Sequence, residues 1–312
     1  MFELYKEIWR VSGKRQIVLV LLSVAIAALA AAPLKFQQEI VNLLTYGAFE
    51  RSQLYLLCAG MMGVILLSLV LKWIMGYRSQ VLGEDVIRFI RKLLLTRATE
   101  LGKTSGTLRT GTLSTAITAE AEELGKFTGG AFSQPVMQVG TLISVVGFVA
   151  STQPGLGLVA FSMIAPQVII VLFTQRKVNE LLARRVWLLR RVTDEITVKD
   201  IEDATQEVLG DFDRIFGARQ SMFKWKLSTK FLLSAINGGG TVVVFLLGGL
   251  LVLEGKTDVG TVVAATLGLS RLHGPTAFLI SFYREVSANR VKFELLRGLD
   301  FAAPASNAAS RN

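Results

Sequence analysis

The sequence predicts an all-α membrane protein with six transmembrane helices and long polar helical extensions. Two observations lead to this fold class. Apolar residues make up 51% of the 312 residues, and several windows of about 20 residues are almost free of charge. A helix of that length crosses about 30 Å of hydrocarbon. Beyond these windows the helical periodicity continues among charged residues, which predicts helices that extend out of the membrane.

The chain is predicted to have three parts. Residues 1–15 carry apolar side chains at helical spacing among basic residues: Leu4, Tyr5, Ile8 and Trp9. This pattern predicts a short amphipathic helix lying in the membrane interface, and a frayed basic tail is the alternative. Residues 16–300 form the predicted membrane domain. Residues 301–312 read as a disordered tail or linker, because they are small, polar and Pro-containing.

Six spans are predicted in order along the membrane domain. They cover about 17–36, 54–75, 136–152, 156–174, 228–253 and 261–282. The loops after the first, third and fifth spans are short. The second and fourth spans continue as long charged helices, which are predicted to end in breaks at 102–112 and at Gly217, since Gly, Ser and Thr interrupt helices there.

The distribution of basic residues predicts the orientation of these spans. The segments 1–15, 76–127, 175–227 and 283–312 carry 28 Lys and Arg, whereas the opposite side carries three. Basic residues accumulate in cytoplasmic loops of membrane proteins. Both termini and both long extensions are therefore predicted to be cytoplasmic. The net charge of +10 has the same explanation, and no nucleic-acid partner is expected.

Four motifs resemble the transmembrane domain of exporter-type (type I) ATP-binding-cassette transporters. Residues 111–117 (GTLSTAI) resemble the family's Gly-Glu-Leu-x-Ser-Arg-Leu segment. Residues 207–218 contain EVLGDF and IFGA, which resemble Glu-x-Leu-x-Gly-Ile and Ile-Lys-x-Phe. The sixth span has GTVVAA at 260–265 and Pro275, similar to Gly-x-Leu-x-Ala-Phe and its downstream Pro. Residues 290–296 (RVKFELL) resemble Arg-Ile-x-x-Leu-Leu.

This resemblance implies an architecture and a set of coupling residues. Members form homodimers or heterodimers of half-transporters, in which the fourth and fifth spans cross to the partner and twelve helices surround a cavity. The tips of the two extensions dock onto nucleotide-binding domains. Carried over to this chain, the coupling residues are Lys103, Thr104, Ser105, Gly106, Thr107, Leu108 and Gly111 in the first tip, and Gly217, Ala218, Arg219, Gln220 and Ser221 in the second.

ATP hydrolysis is expected on a separate nucleotide-binding subunit or domain, which would hold ATP and Mg²⁺. The sequence contains no G-x-x-x-x-G-K-[ST] phosphate loop: Gly102 is followed by Lys103 and Thr104, but Arg97 stands where the earlier Gly is required. The single His and single Cys predict no metal site, and no catalytic residue or cofactor is expected in the chain.

The predicted function is that of a permease subunit that moves an unidentified substrate by alternating access. The predicted location is the bilayer of a bacterial inner membrane. A non-transporting scaffold or regulatory subunit with the same fold is the alternative.

Arg271 and His273 are candidate substrate-cavity residues, because a charge midway through a span costs at least about 2.5–3.5 kcal/mol and faces the bundle interior or water. The alternative for Arg271 is a structural ion pair or hydrogen bond within the bundle. For His273 a packing role is the simpler interpretation.

Overall fold

The computed structural model describes residues 2–46, 51–104, 116–198 and 201–301. Within these ranges every regular element is helical, which confirms the all-α prediction. Eight α-helices and one π-helical turn (Ala116–Glu120) follow one another. The helices are α1 (Phe2–Ala28), α2 (Ala32–Tyr46), α3 (Arg51–Thr104), α4 (Ala121–Gly130), α5 (Ser133–Thr152), α6 (Pro154–Val198), α7 (Ile201–Leu253) and α8 (Val259–Phe301).

Five helical stretches in the described part of the chain are long and apolar enough to cross a membrane. They are Glu3–Tyr46, Arg51–Thr96, Ile117–Thr152, Pro154–Leu189 and Val208–Leu253. They contain the first five predicted spans. The sixth predicted span lies in α8, which is not among the five, because Arg271, His273 and Pro275 interrupt its apolar run.

The first span is built from two helices. The helix is interrupted at residues 29–31, between α1 and α2. Pro33 is the second residue of α2. Proline is tolerated in the first turn of a helix, where its missing N–H has no helical acceptor. The first span is therefore interrupted just before Pro33.

The prediction of an interfacial segment 1–15 implied a separate short helix. The N-terminal residues do not form one. They form the first half of α1, which continues without interruption to Ala28. Leu4 and Ile8 are buried against Leu94, Leu124 and other side chains of the protein. An amphipathic pattern is the same whether its apolar face meets lipid or protein, which is why the sequence alone did not distinguish the two.

The chain divides into two compact units, Met1–Val145 with Ser281–Asn312, and Val146–Ile280. In the first unit α1 runs antiparallel to α3: Ser23 contacts Met75, and Arg15 pairs with Asp85. Two apolar clusters form the core of this unit. One gathers Leu19, Ile26, Met75, Leu82 and Val86, and the other gathers Leu4, Ile8, Leu94, Leu124, Phe127, Ala131 and Val286.

The second unit is organised around the antiparallel pair of α6 and α7. One apolar cluster joins them toward the end of α6, through Leu188, Val192, Val208 and Ile215. A second cluster brings the middle of α8 onto the pair, where Ile280 packs on Val171 and Leu233. Near the start of α8, the side chain of Val262 fills the space beside Gly248 of α7.

Candidate functional site

The first hairpin, formed by α3 and α4, is held together by very close backbone contact. A Cβ atom added at Gly129 would lie 2.3 Å from the carbonyl oxygen of Ser79, and one added at Gly125 would lie 2.9 Å from that of Gly83. Only glycine allows two helices to approach this closely. The sequence folds this way locally because Gly125 and Gly129 are four residues apart and therefore lie on one face of α4.

Ion pairs join the two helices of this hairpin and connect it to α8. The guanidinium of Arg91 on α3 donates to the carbonyl oxygen of Ile117 at 3.0 Å and lies 3.6 Å from the carboxylate of Glu122. Lys292 of α8 pairs with Glu123 of α4. Sequence reasoning did not find these pairs, because charges that are far apart in the chain give no periodic signal.

The predicted first coupling segment begins at the end of α3. Lys103 and Thr104 are the last two residues of that helix. Ser105, Gly106, Thr107, Leu108 and Gly111 lie outside the described residues. Their coupling role stays a prediction.

The second hairpin is joined by polar side chains in its apolar half. The amide of Gln167 donates to the side-chain oxygen of Asn237 at 3.0 Å, and the hydroxyls of Thr174 and Thr229 lie 2.6 Å apart. Each pair has residue numbers that add to nearly the same value, which is the signature of antiparallel helices in one fixed register. Buried polar pairs of this kind link helices within apolar surroundings.

The predicted break at Gly217 is wrong. α7 continues as a single helix from Ile201 to Leu253, so Gly217 to Ser221 lie inside it rather than at a tip. α6 ends at Val198, and α7 begins at Ile201 and runs antiparallel to it. An isolated glycine costs a helix only about 1 kcal/mol, and the pairing with α6 offsets this cost.

The side chains around Gly217 have distinct surroundings. No heavy atom from another part of the described chain lies within 4 Å of a Cβ built on Gly217. Ala218 is buried, whereas Arg219 and Gln220 are exposed. The guanidinium of Arg219 lies 5.9 Å from the ring centre of Phe223 one turn later. The coupling role of these five residues stays a prediction. It now concerns positions within α7 and not positions at the end of the hairpin.

An exposed apolar stripe runs along α7 through the same region. It consists of Leu209, Phe212, Phe216 and Phe223, which are 46–67% exposed. The residues are three, four and seven positions apart, so they share one helix face, about 110° from the buried face of α7. Large apolar side chains in this arrangement on a charged helix mark an interaction surface.

Arg271 and His273 lie on opposite edges of the buried face of α8. That face contains Ala264, Leu272 and Thr276, and both candidates are half-buried beside it. Residues two positions apart on a helix are separated by about 200° of rotation. The structure therefore does not bring these two side chains together, and they do not form a joint site.

Comparison with known protein families identifies the chain. Residues 16–186 match the ABC transporter transmembrane region, which covers more than half of the sequence and confirms the resemblance noted from its motifs. A search of curated proteins finds no match. Together with the apolar helices, the match describes a multi-pass integral membrane protein. The chain belongs to the ABC transporter transmembrane region family and is the membrane-spanning part of an ABC transporter.

Proposed function

We propose that this chain is the permease subunit of an ABC exporter. It moves its substrate by alternating access, driven by ATP hydrolysis on a separate nucleotide-binding subunit or domain that carries ATP and Mg²⁺. The observation that carries this proposal is the length of the two hairpins. α3 has 54 residues and α7 has 53, about 80 Å each, whereas a bilayer core needs about 30 Å. Helices of this length transmit movement from a partner to the membrane.

In this proposal α8 is the sixth span. It begins after the turn that ends the fifth, where Gly255 adopts a φ of 67°, and its 43 residues are about 65 Å long. The polar residues that lower its hydropathy lie at or beside its buried face. A charge placed there avoids direct exposure to lipid.

The proposed orientation puts both termini and both hairpin extensions in the cytoplasm of a bacterial cell. The support is the imbalance of 28 Lys and Arg on one side against three on the other. It is strengthened by the short N-terminal and outer segments, because short segments weigh most in this rule.

We also place the protein in a domain-swapped dimer with twelve spans. Two observations support this assembly. The chain divides into two compact units, and the second contains the whole of α6 and α7. The stripe of Leu209, Phe212, Phe216 and Phe223 lies outside the pairing of α6 with α7 and needs an apolar cover. A second copy, or a similar half-transporter, supplies that cover if its first unit receives this hairpin.

Arg271 is the proposed contact for an anionic group of the substrate. Its side chain is half-buried at the edge of the buried face of α8, where a charge is shielded from lipid. Its replacement by Met removes the charge and keeps much of the length of the side chain. Transport lost from a variant with an unchanged melting temperature supports a substrate role. A lower melting temperature indicates a structural partner instead.

The proposal is tested by association with an ATPase. The full-length chain in nanodiscs is mixed with separately encoded ABC ATPases from the same genome, and ATP hydrolysis is measured with and without the chain. We expect binding and stimulated hydrolysis. Leu108→Asp in the predicted coupling segment should abolish the stimulation. Leu95→Asp is the control, because Leu95 is exposed on α3 outside that segment.

Two results would contradict the proposal. Equal stimulation by both variants removes the coupling role of the first tip. Failure of the folded chain to bind or stimulate any of these ATPases favours the non-transporting scaffold.

A further inference from the structure

A cavity of about 300 Å³ lies within the first unit, away from all the residues assigned above to coupling or to substrate. It is open on one side and lined by four helices. α1 contributes five side chains from positions 4–11, α3 contributes five from positions 86–94 that do not include Arg88, α4 contributes Leu124 and Thr128, and α8 contributes Phe293. It lies at the junction of the two apolar clusters of this unit, and Ile90 packs against both of them.

The walls of the cavity offer almost no hydrogen bonds. Most of the lining side chains are apolar, including Ile8, Ile90, Leu93 and Phe293. The hydroxyl of Thr128 is already donated to the carbonyl oxygen of Leu124 at 2.8 Å. A cavity with such walls favours an apolar occupant over water, which needs two to four polar partners. The part of a ligand that lies inside must therefore be apolar.

The charged lining residues are both on α1. Glu7 and Arg10 lie 3.6 Å apart, and the side chain of Arg10 is 79% exposed. A guanidinium has five N–H donors, so beside Glu7 the exposed guanidinium of Arg10 can still bind the carboxylate of an anionic head group.

The size of the cavity limits the apolar part of the ligand. Its volume is at the lower end of the range for small-molecule sites, about 300–1,000 Å³. This suits one alkyl chain rather than the two chains of a membrane phospholipid. Phe89 and Leu93 are partly exposed at the cavity, so such a chain has an apolar path inward.

We propose that this cavity binds a single-chain anionic amphiphile, such as a free fatty acid, with its alkyl chain among α1, α3, α4 and α8 and its head group beside Arg10. A molecule in this position touches all four helices that line the cavity. It would hold the N-terminal half of α1 and the C-terminal part of α8 against the first hairpin. The site is independent of the proposed transport function and of the substrate carried.

The experiment uses a photoreactive fatty acid with a diazirine near its methyl end. The full-length chain in nanodiscs is irradiated with this probe, and the labelled peptides are identified by mass spectrometry. We expect labelling at residues 4–11 and 86–94. Leu93→Trp fills the cavity and should lower this labelling about tenfold. Leu95→Trp adds the same ring to an exposed position two residues away that does not line the cavity, and it should leave labelling unchanged.

Further variants complete the test. If Leu93→Trp does not fold, Val11→Trp blocks the same cavity from α1, where Val11 is 48% exposed. Arg10→Gln should weaken labelling by the acid, and Arg88→Gln, on an exposed side chain outside the lining, should not.

Four results would overturn the proposal. The first is equal labelling of the Leu93→Trp and Leu95→Trp variants. The second is labelling by the uncharged methyl ester equal to that by the free acid, and the third is labelling by a diazirine phospholipid in place of the free acid. The fourth is no labelling at all. The last would indicate that a protein side chain fills the cavity.

Discussion

The two hairpins of this protein are held together by different kinds of contact between their helices. In the first, backbone approaches backbone: Gly125 and Gly129 of α4 leave no room for a side chain against α3. In the second, side chains make the contact, through the Gln167–Asn237 and Thr174–Thr229 pairs and the cluster around Leu188. The first is braced by α1 and α8, whereas in its polar half the described contacts of the second are those between α6 and α7.

This difference suggests separate mechanical roles. Close backbone packing resists rotation and sliding, since any shift creates overlap at once. Side-chain pairs fix a register and leave an outer face available. In the second hairpin that outer face is the stripe that begins at Leu209 and includes Phe212 and Phe216. We therefore regard the first hairpin as a rigid lever and the second as an arm built to dock on a partner.

The largest expected effect comes from breaking the docking surface of the arm. Phe216→Asp places a charge in the centre of the stripe, where Phe216 is 67% exposed in the isolated chain. The proposed dimer should dissociate at least about tenfold more readily, since a buried unpaired charge is strongly unfavourable. Mass photometry in nanodiscs or micelles measures the dimer fraction. Lys224→Asp, exposed on the same helix but off the stripe, is the control. Equal dimer fractions for both variants would rule out this surface as the interface.

The next effect tests the rigidity of the lever. Gly129→Ala should lower the stability by about 1–3 kcal/mol, because its Cβ would lie 2.3 Å from a backbone oxygen that has no freedom to rotate away. The midpoint of SDS-induced unfolding measures this loss. Gly76→Ala is the matched control on α3, since no heavy atom from another part of the described chain lies within 4 Å of that Cβ. A stable Gly129→Ala protein would show that the helices are further apart than described.

The sequence predicted the elements of both hairpins but not how they are held. Apolar windows and helical periods are local, so the first five spans and the long extensions were predictable. The approach of Gly129 to Ser79 was not, because it depends on residues 50 positions apart. The spacing of Gly125 and Gly129 was visible, but many such pairs make no contact.

The candidate sites divide along the same line. The family resemblance rested on short motifs and is confirmed by the match over residues 16–186. The predicted break at Gly217 was wrong because residue type was weighed without the pairing with α6 along a continuous α7. Residues 1–15 proved to be continuous with α1, and their location at the membrane interface stays a prediction, because an amphipathic pattern does not specify its partner.

A smaller effect is expected from the register of the arm. Gln167 is only 2% exposed, and Gln167→Leu leaves the side-chain oxygen of Asn237 without this donor. The cost should be about 1 kcal/mol, and the double variant with Asn237→Leu should recover part of it. Thr141→Val is a control, because the hydroxyl of Thr141 donates to a carbonyl of its own helix, that of Met137. Strictly additive losses in the cycle would indicate that the pair does not set the register.

The smallest effect has the opposite sign and tests the path of the second hairpin directly. Gly217→Ala should raise the stability by about 0.5–1 kcal/mol, since alanine loses less backbone entropy than glycine in a helix. The helical backbone accepts the change, and no heavy atom from another part of the described chain lies within 4 Å of the added Cβ. Gly210→Ala, at a second open position of α7, should give a similar gain. A loss at Gly217 with a gain at Gly210 would mean that the helix is interrupted at Gly217. The tip of the arm would then lie there, and the same substitution would impair coupling to the ATPase.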